Sequence, residues 1–254
     1  MAYACDSKSH GSNPVRVQVP PWAPEIMPQR KLPSIKFTWT PELAYATGLL
    51  VTDGNLSKDG RHIAFRSSEI QLVETYKRCM NINNSVTKTV NNGFSRKNSY
   101  VVQHGGVQLH QWLVSIGITP AKTYTVGQIK IPKKFFRDFL RGHLDGDGYI
   151  QRYTDNYNVY KGRRYTASRL YSRFISASEI HIRWLYKMIR ACLPLKGAIL
   201  LKKPFTSNRV PIWEIRFAKS DSLKLLRWLY YKDKLPTLER KREVAEKALQ
   251  ELSK

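Results

Sequence analysis

Three blocks of this sequence recur in the same order further along the chain. Ser68-Glu69-Ile70-x-Leu72, followed by Tyr76-Lys77, returns as Ser178-Glu179-Ile180-x-Ile182, followed by Tyr186-Lys187, at a constant offset of 110 residues. Leu109, Trp112, Leu113 and Pro120 return as Leu225, Trp228, Leu229 and Pro236, offset by 116. Gly48 and Asp53-Gly54 return as Gly142 and Asp147-Gly148, offset by 94. Repetition at this scale restricts the architecture before any single element is assigned, because a duplicated unit must fold twice and pack on itself. Equivalent residues of the two copies then face each other across a pseudo-two-fold axis.

Local patterning lays the same elements on each copy. Pro41 suits the first turn of a helix that runs through Leu43, Ala46, Leu49 and Leu50 and stops at Asp53-Gly54; Phe135, Phe139 and Leu144 mark its twin, ending at Asp147-Gly148. Ile63 and Phe65 alternate with Ala64 and Arg66, and Trp213, Ile215 and Phe217 alternate with Ile212, Glu214 and Arg216. Period two predicts antiparallel strands with one apolar and one polar face. Gly93 and Ser207-Asn208 fall where hairpin turns are needed, and segments 69–80, 107–116, 179–192 and 220–232 have helical apolar spacing. Each copy reads helix, hairpin, helix, hairpin, helix, which is an α+β unit. The first gap, 16 residues from Asp53 to Glu69, becomes 32 between Asp147 and Glu179, so the second copy's first hairpin is longer and more basic. The expected organisation is an extended, proline-rich arm over 1–36, with Trp22 and Ile26 as its anchors, a first unit over 37–118, a linker over 119–132, and a second unit with a C-terminal helix over 133–254.

Charge narrows the partner. Among 254 residues, 43 Lys and Arg stand against 19 Asp and Glu, a net charge of +24, of which +16 falls in residues 133–254. A surplus of that size repels itself in a compact fold unless a polyanion neutralises it, so nucleic acid is the expected partner. No apolar run approaches the roughly 18 residues of a spanning helix, which disfavours a membrane role. Cys5, Cys79 and Cys192 are odd in number and far apart, and the six histidines are scattered, which leaves neither a disulfide framework nor a structural zinc cage. The N-terminus lacks a charged-then-apolar signal, so the expectation is an intracellular protein, in a prokaryotic cytoplasm or nucleoid or in an organelle matrix, and not a secreted one.

Chemistry is expected where the two signature helices end. Each stops in an Asp-Gly, and Gly48 and Gly142, five residues earlier, remove the side chains that would hold two helix backbones apart. If the helices pack side by side, two carboxylates meet at the negative ends of two helix dipoles, a repulsion that a divalent cation offsets. Mg²⁺ takes one or two carboxylates together with substrate phosphate oxygens, which suits phosphodiester hydrolysis. Asp145-Gly146-Asp147-Gly148 does not make a calcium loop, since Tyr149 occupies the next ligand position and no Glu follows at the required distance.

Ala46-Thr47-Gly48-Leu49-Leu50-Val51-Thr52-Asp53-Gly54 and Leu140-Arg141-Gly142-His143-Leu144-Asp145-Gly146-Asp147-Gly148 resemble the two signature helices of LAGLIDADG homing endonucleases, and the resemblance covers residues from about 40 to 245. It implies a single-chain, monomeric fold of two pseudo-symmetric αββαββα units whose antiparallel sheets form a saddle over the DNA major groove. By resemblance, Asp53 and Asp147 bind two or three Mg²⁺ ions, helped by the backbone carbonyls of Thr52 and Gly146. A metal-activated water then cuts each strand to leave short 3′ overhangs, whereas Ca²⁺ supports binding without cleavage. The family's sixth position is Asp145 in the second copy but Val51 in the first, which makes Asp145 the weaker ligand candidate. A lysine from each half lies near the scissile phosphates in the family; Lys122 fits that place and Lys241 is its counterpart, with an offset of 119 where 116 is expected.

Sequence readout falls to the polar sheet face. The candidates are Arg61, Arg66, Lys88, Arg96, Gln103, Arg152, Arg164, Arg173, Lys202 and Arg216, because Arg and Gln form bidentate bonds to purine edges. Trp112 and Trp228 lie on apolar helix faces and read as core. The leading expectation is a site-specific double-stranded DNA endonuclease of the intron-homing type. The alternative on the same scaffold is a binding protein that does not cut, either an intron RNA splicing cofactor or a transcription regulator. An endonuclease embedded in a self-splicing protein is disfavoured, since the ends of the chain carry no splice-junction Cys or terminal His-Asn.

Overall fold

The structure, a computed structural model, describes residues 37–89, 98–203 and 210–251. The N-terminal arm, Arg96 and the expected turn residues Gly93, Ser207 and Asn208 lie outside the described residues. The chain divides between Ser34 and Ile35, and the fold below is that of the larger unit.

Helix α1 (Pro41–Asp53) starts where its signals place it: the Thr40 hydroxyl accepts from the Leu43 amide at 3.1 Å and Pro41 fills the first turn. There follow β1 (Gly54–Leu56), β2 (His62–Ser67), α2 (Ile70–Met80), β3 (Val86–Thr89), β4 (Ser99–Gly105) and α3 (Val107–Ile116). The second half repeats the order with α4 (Phe136–Gly146), β5 (Tyr149–Tyr160), β6 (Arg163–Ser176), α5 (Glu179–Cys192), β7 (Ala198–Lys202), β8 (Ile212–Phe217) and α6 (Lys219–Leu229). A last helix, α7 (Glu239–Gln250), has no counterpart among the described residues of the first half. The expected helix over 220–232 is shorter than its pattern, because Tyr230 leaves helical geometry and the freed Leu229 carbonyl accepts from Arg141 at 3.1 Å.

Each half builds one antiparallel sheet, ordered β1-β2-β4-β3 and β5-β6-β8-β7. Matching strand orders follow from the duplicated sequence. One face of each sheet is covered: Ile63, Phe65 and Val102 in the first and Phe174, Ile215 and Phe217 in the second are fully buried. Apolar helix faces close over them, with Leu72, Val73 and Tyr76 from α2 and Ile182, Leu185 and Ile189 from α5. Trp112 and Trp228 pack against this core. The opposite faces carry mostly polar and basic residues, as the period-two pattern requires. The two signature helices α1 and α4 pack directly on each other between the sheets, so the site is set by their contact. No helix among the described residues is long and apolar enough to cross a membrane.

Candidate active site at the helix crossing

The crossing is a backbone-to-backbone contact. A Cβ at Gly48 would lie 2.2 Å from the Phe139 carbonyl oxygen, and one at Gly142 would lie 2.1 Å from that of Tyr45. No side chain fits there, so each half supplies a glycine and the helices run together to their C-terminal ends. The ends meet as well, since a Cβ at Gly146 would fall 2.0 Å from Thr52 Oγ1 and 2.9 Å from Asp53 Oδ2. The last residue of α1 thus reaches into the space that a glycine leaves open at the end of α4.

Asp53 and Asp147 therefore share one pocket of electrostatic influence. Burial, and then the negative charge of Asp147, push the Asp53 carboxyl up to about 6; the Thr52 hydroxyl, 3.3 Å from Oδ2, and the nearby lysines pull the other way. Burial raises Asp147 too, against Lys241 and Lys122, although its side chain reaches solvent at the mouth of the pair.

Both lysines are 6% exposed and sit on the carbonyl ends of the signature helices. Lys122 Nζ donates to the Gly54 carbonyl. Lys241 Nζ is caged by four carbonyl oxygens, those of Gly148 at 2.6 Å, Leu144 and Asp145 at 2.7 Å, and Gly146 at 3.3 Å. Burial lowers both ammonium groups; the charges of Asp53 and Asp147 raise Lys122, and that of Asp145, ahead of those of Asp53 and Asp147, raises Lys241. Cations at helix C-terminal ends complement the dipoles. Sequence reasoning left the whole of the acid repulsion to a metal; the structure shows that the two lysines offset part of it.

Asp145 has a different task from ligation. It is 1% exposed, and its Oδ2 accepts from the Tyr45 hydroxyl at 2.7 Å and from the Leu238 amide, the residue before α7, at 2.8 Å. One carboxylate thereby joins α1, α4 and the N-terminus of α7, three residues before Lys241. Arg141, fully buried, pairs with Asp138 at 2.9 Å and donates to the carbonyls of Pro236 at 2.8 Å and Leu229. Neither role was read from sequence. The signal was present in the charges at positions 141 and 145, on a helix that must be buried all round.

The donor set suits a hard divalent cation. The Asp147 charge acts on the Asp53 carboxyl, the glycine at 146 leaves the room that this carboxyl occupies, and the carbonyls at the end of α4 accept from Lys241. Among the described residues no group of three or more His, Cys, Asp and Glu gathers, so a cation here relies on the aspartate pair, carbonyls and ligand oxygens.

The predicted DNA-contact residues divide by strand register. Arg66 and Gln103 lie on the open face of the first sheet, and Arg61 is exposed in the turn before β2. Arg173, Arg216 and Lys202 lie on the open face of the second. Arg164 is exposed near the β5–β6 tip. Lys88 is a correction of face: it pairs with Tyr100 and so takes the side of Val86 and Val102, although on this edge strand its own side chain is exposed. Arg152 is another, since it pairs with Leu170 on the covered side and makes an ion pair with Glu251 beyond α7. Arg173 is already engaged, with Glu214 at 3.2 Å and Gln151 at 2.9 Å, and Glu214 is consequently buried on the face expected to be polar and open.

No protein-family model matches the sequence, and no curated protein matches it. Solved structures are similar. The I-SmaMI LAGLIDADG homing endonuclease bound to cleaved DNA matches with a TM-score of 0.54 over 85% of this chain and 91% of that one, at 12% identity. The fold is that of the LAGLIDADG homing endonucleases. The I-LtrWI LAGLIDADG homing endonuclease bound to target DNA matches at 0.51 over 84% and 90%, also at 12% identity. Full-length DUF199/WhiA from Thermatoga maritima is similar at 0.47 and 15% identity over 86% of this chain, which spans 63% of the length of that protein. At such identities the likeness shows the fold, and the chemistry rests on the residues.

Proposed function

We propose that this chain is a site-specific, divalent-metal-dependent double-stranded DNA endonuclease, acting as a monomer and cutting one phosphodiester on each strand. The observation that carries the reading is the meeting of Asp53 and Asp147 beside a helix crossing that leaves no room for any residue but glycine. A scaffold that only bound DNA would have no need of a half-buried Asp53 held against the negative charge of a solvent-reaching Asp147 at this point. Their repulsion costs stability and is relieved by a cation.

Each residue has a role in this reading. Asp53 and Asp147 hold the cation, with the carbonyls of Thr52 and Gly146 beside them. A Mg²⁺ ion held by these residues would supply water activation and charge neutralisation at a scissile phosphate. Lys122 and Lys241 keep positive charge next to both carboxylates and draw a phosphate towards them. Gly48 and Gly142 hold the two acids at a spacing set by backbone contact. The open sheet faces, carrying Arg66, Gln103, Arg216 and Lys202, lie on the duplex to either side and choose the sequence.

The test is cleavage of a randomised duplex library in Mg²⁺ and in Ca²⁺, by the wild type and by the Asp53→Asn/Asp147→Asn variant. Discrete cuts in Mg²⁺ at one long site, absent in Ca²⁺ and absent with the variant, are expected. Enrichment of a site with no cuts by the wild type would transfer the reading to a binding protein, and structured intron RNA would then be the ligand to try.

A further inference from the structure

The β5–β6 hairpin has no equal in the first half. Ten cross-strand pairs join its strands, against three between β1 and β2. At about 3.3 Å per residue, and allowing for the longer turn of the first hairpin, its tip reaches roughly 20 Å further. The reversal is tight, with Lys161 and Gly162 both in the left-handed region at φ 49° and 76°. A register shift between Asp155 and Asn158 marks a bulge, which adds twist and bend to a two-stranded ribbon.

The chemistry of this ribbon is as lopsided as its length. Lys161, Arg163 and Arg164 cluster at the tip, and the one acid of the hairpin, Asp155, is held by Arg169 at 3.2 Å. Tyr153, Tyr157, Val159, Tyr160 and Tyr165 are five of the twelve large apolar or aromatic side chains exposed among the described residues, with Tyr157 94% exposed. Such a surface on a long ribbon is a liability unless something covers it.

We infer that this hairpin is a one-sided DNA arm that contacts duplex beyond the half-site read by its own sheet. The inference rests on the proposed reading of the chain as a DNA-binding nuclease. A twisted two-stranded ribbon fits the major groove, and the tip cations match phosphates while tyrosine edges lie against sugars and bases. At about 3.4 Å per base pair the extra reach adds roughly six base pairs to one side of the footprint. The occupant is duplex because the arm pairs concentrated positive charge with groove-fitting shape; an apolar protein surface would need the tyrosines but not the cations.

Hydroxyl-radical footprinting in Ca²⁺, on a duplex recovered from a randomised library by binding to the wild type, tests this without requiring cleavage. Two exposed sets of changes leave the core untouched: Lys161→Asn/Arg163→Ala/Arg164→Ala, and Tyr157→Thr/Tyr160→Thr. The wild type is expected to protect about six more base pairs on one side of the centre. Both variants should lose that extension and keep the other side. The cation variant alone should flatten the log Kobs against log salt slope by about 2.7, some 0.9 for each lost phosphate contact. A symmetric wild-type footprint, or variants with unchanged protection and slope, would overturn the arm while leaving the nuclease reading standing. No protection by the wild type on any duplex would overturn both.

Discussion

A methyl group at position 142 has nowhere to go, since it would overlap the backbone of Tyr45 and no rotamer change relieves it. Gly142→Ala is expected to cost about 3 kcal/mol of stability, read as a lower urea midpoint, whereas Gly60→Ala, in open space, should cost far less despite its positive φ. Asp53→Asn should do the opposite. The carboxyl sits near 6 in the folded chain and near 3.8 when unfolded, so its charge is a burden on the fold that is absent below about pH 4, grows between pH 4 and 6, and is complete above. Without divalent cations, Asp53→Asn is therefore expected to exceed the wild type by on the order of 1 kcal/mol at pH 7 and to match it near pH 4. A stability gap independent of pH in urea titrations would mean that the carboxyl is not strained. Both glycines and both acids were legible from the repeat alone, because duplication turned a common turn motif into a paired one. The work of Asp145 was not legible, since its partners Tyr45 and Leu238 lie about a hundred residues away on either side and no local pattern links them.

Among elements, the signature helices and the order of the strands were readable because period and caps act locally, as with Thr40 and Pro41 at α1. The face of an edge-strand residue was less so. Lys88 and Arg152 each sit in polar stretches whose alternation carries no phase, and only pairing with Tyr100 and Leu170 decides which side they take. α7 shows the same limit from another direction: a C-terminal helix was expected, but its docking on the end of α4 through the Asp145 carboxylate and Lys241 was not readable from its own sequence. Removing that carboxylate with Asp145→Ala leaves the Leu238 amide and the Tyr45 hydroxyl without their acceptor and should cost about 2–4 kcal/mol. Amide exchange across Glu239–Gln250 should speed up, and Asp145→Asn, which keeps an acceptor oxygen, should recover part of the loss. Unchanged exchange in Asp145→Ala would show that Lys241 and the apolar contacts hold α7 without this carboxylate.

At the scale of the molecule, charge and symmetry work together. The open sheet faces carry Arg66 in one half and Arg173, Arg216 and Lys202 in the other, an arrangement that on the proposed reading would bind a polyanion broadly and admit a cation at the aspartate pair. Binding to any duplex should weaken steeply between 50 and 200 mM salt, by about a thousandfold if six phosphates are contacted; a flat response would argue against a many-phosphate interface. Net charge pointed to a polyanion and the repeat to two matching units packed on each other, whereas the saddle was an implication of the family resemblance. The asymmetry of the halves was visible as a longer gap, but its physical consequence, a bent aromatic and basic ribbon, required the register. The most direct test of the aspartate pair as the cation site is calorimetric titration of Ca²⁺ into the wild type and into Asp53→Asn/Asp147→Asn, each bound to the duplex recovered by the wild type. Saturable binding by the wild type and its loss in the variant, with duplex affinity largely retained, is the expected result. Equal Ca²⁺ binding by both would place the cation elsewhere and contradict the assignment of these two aspartates.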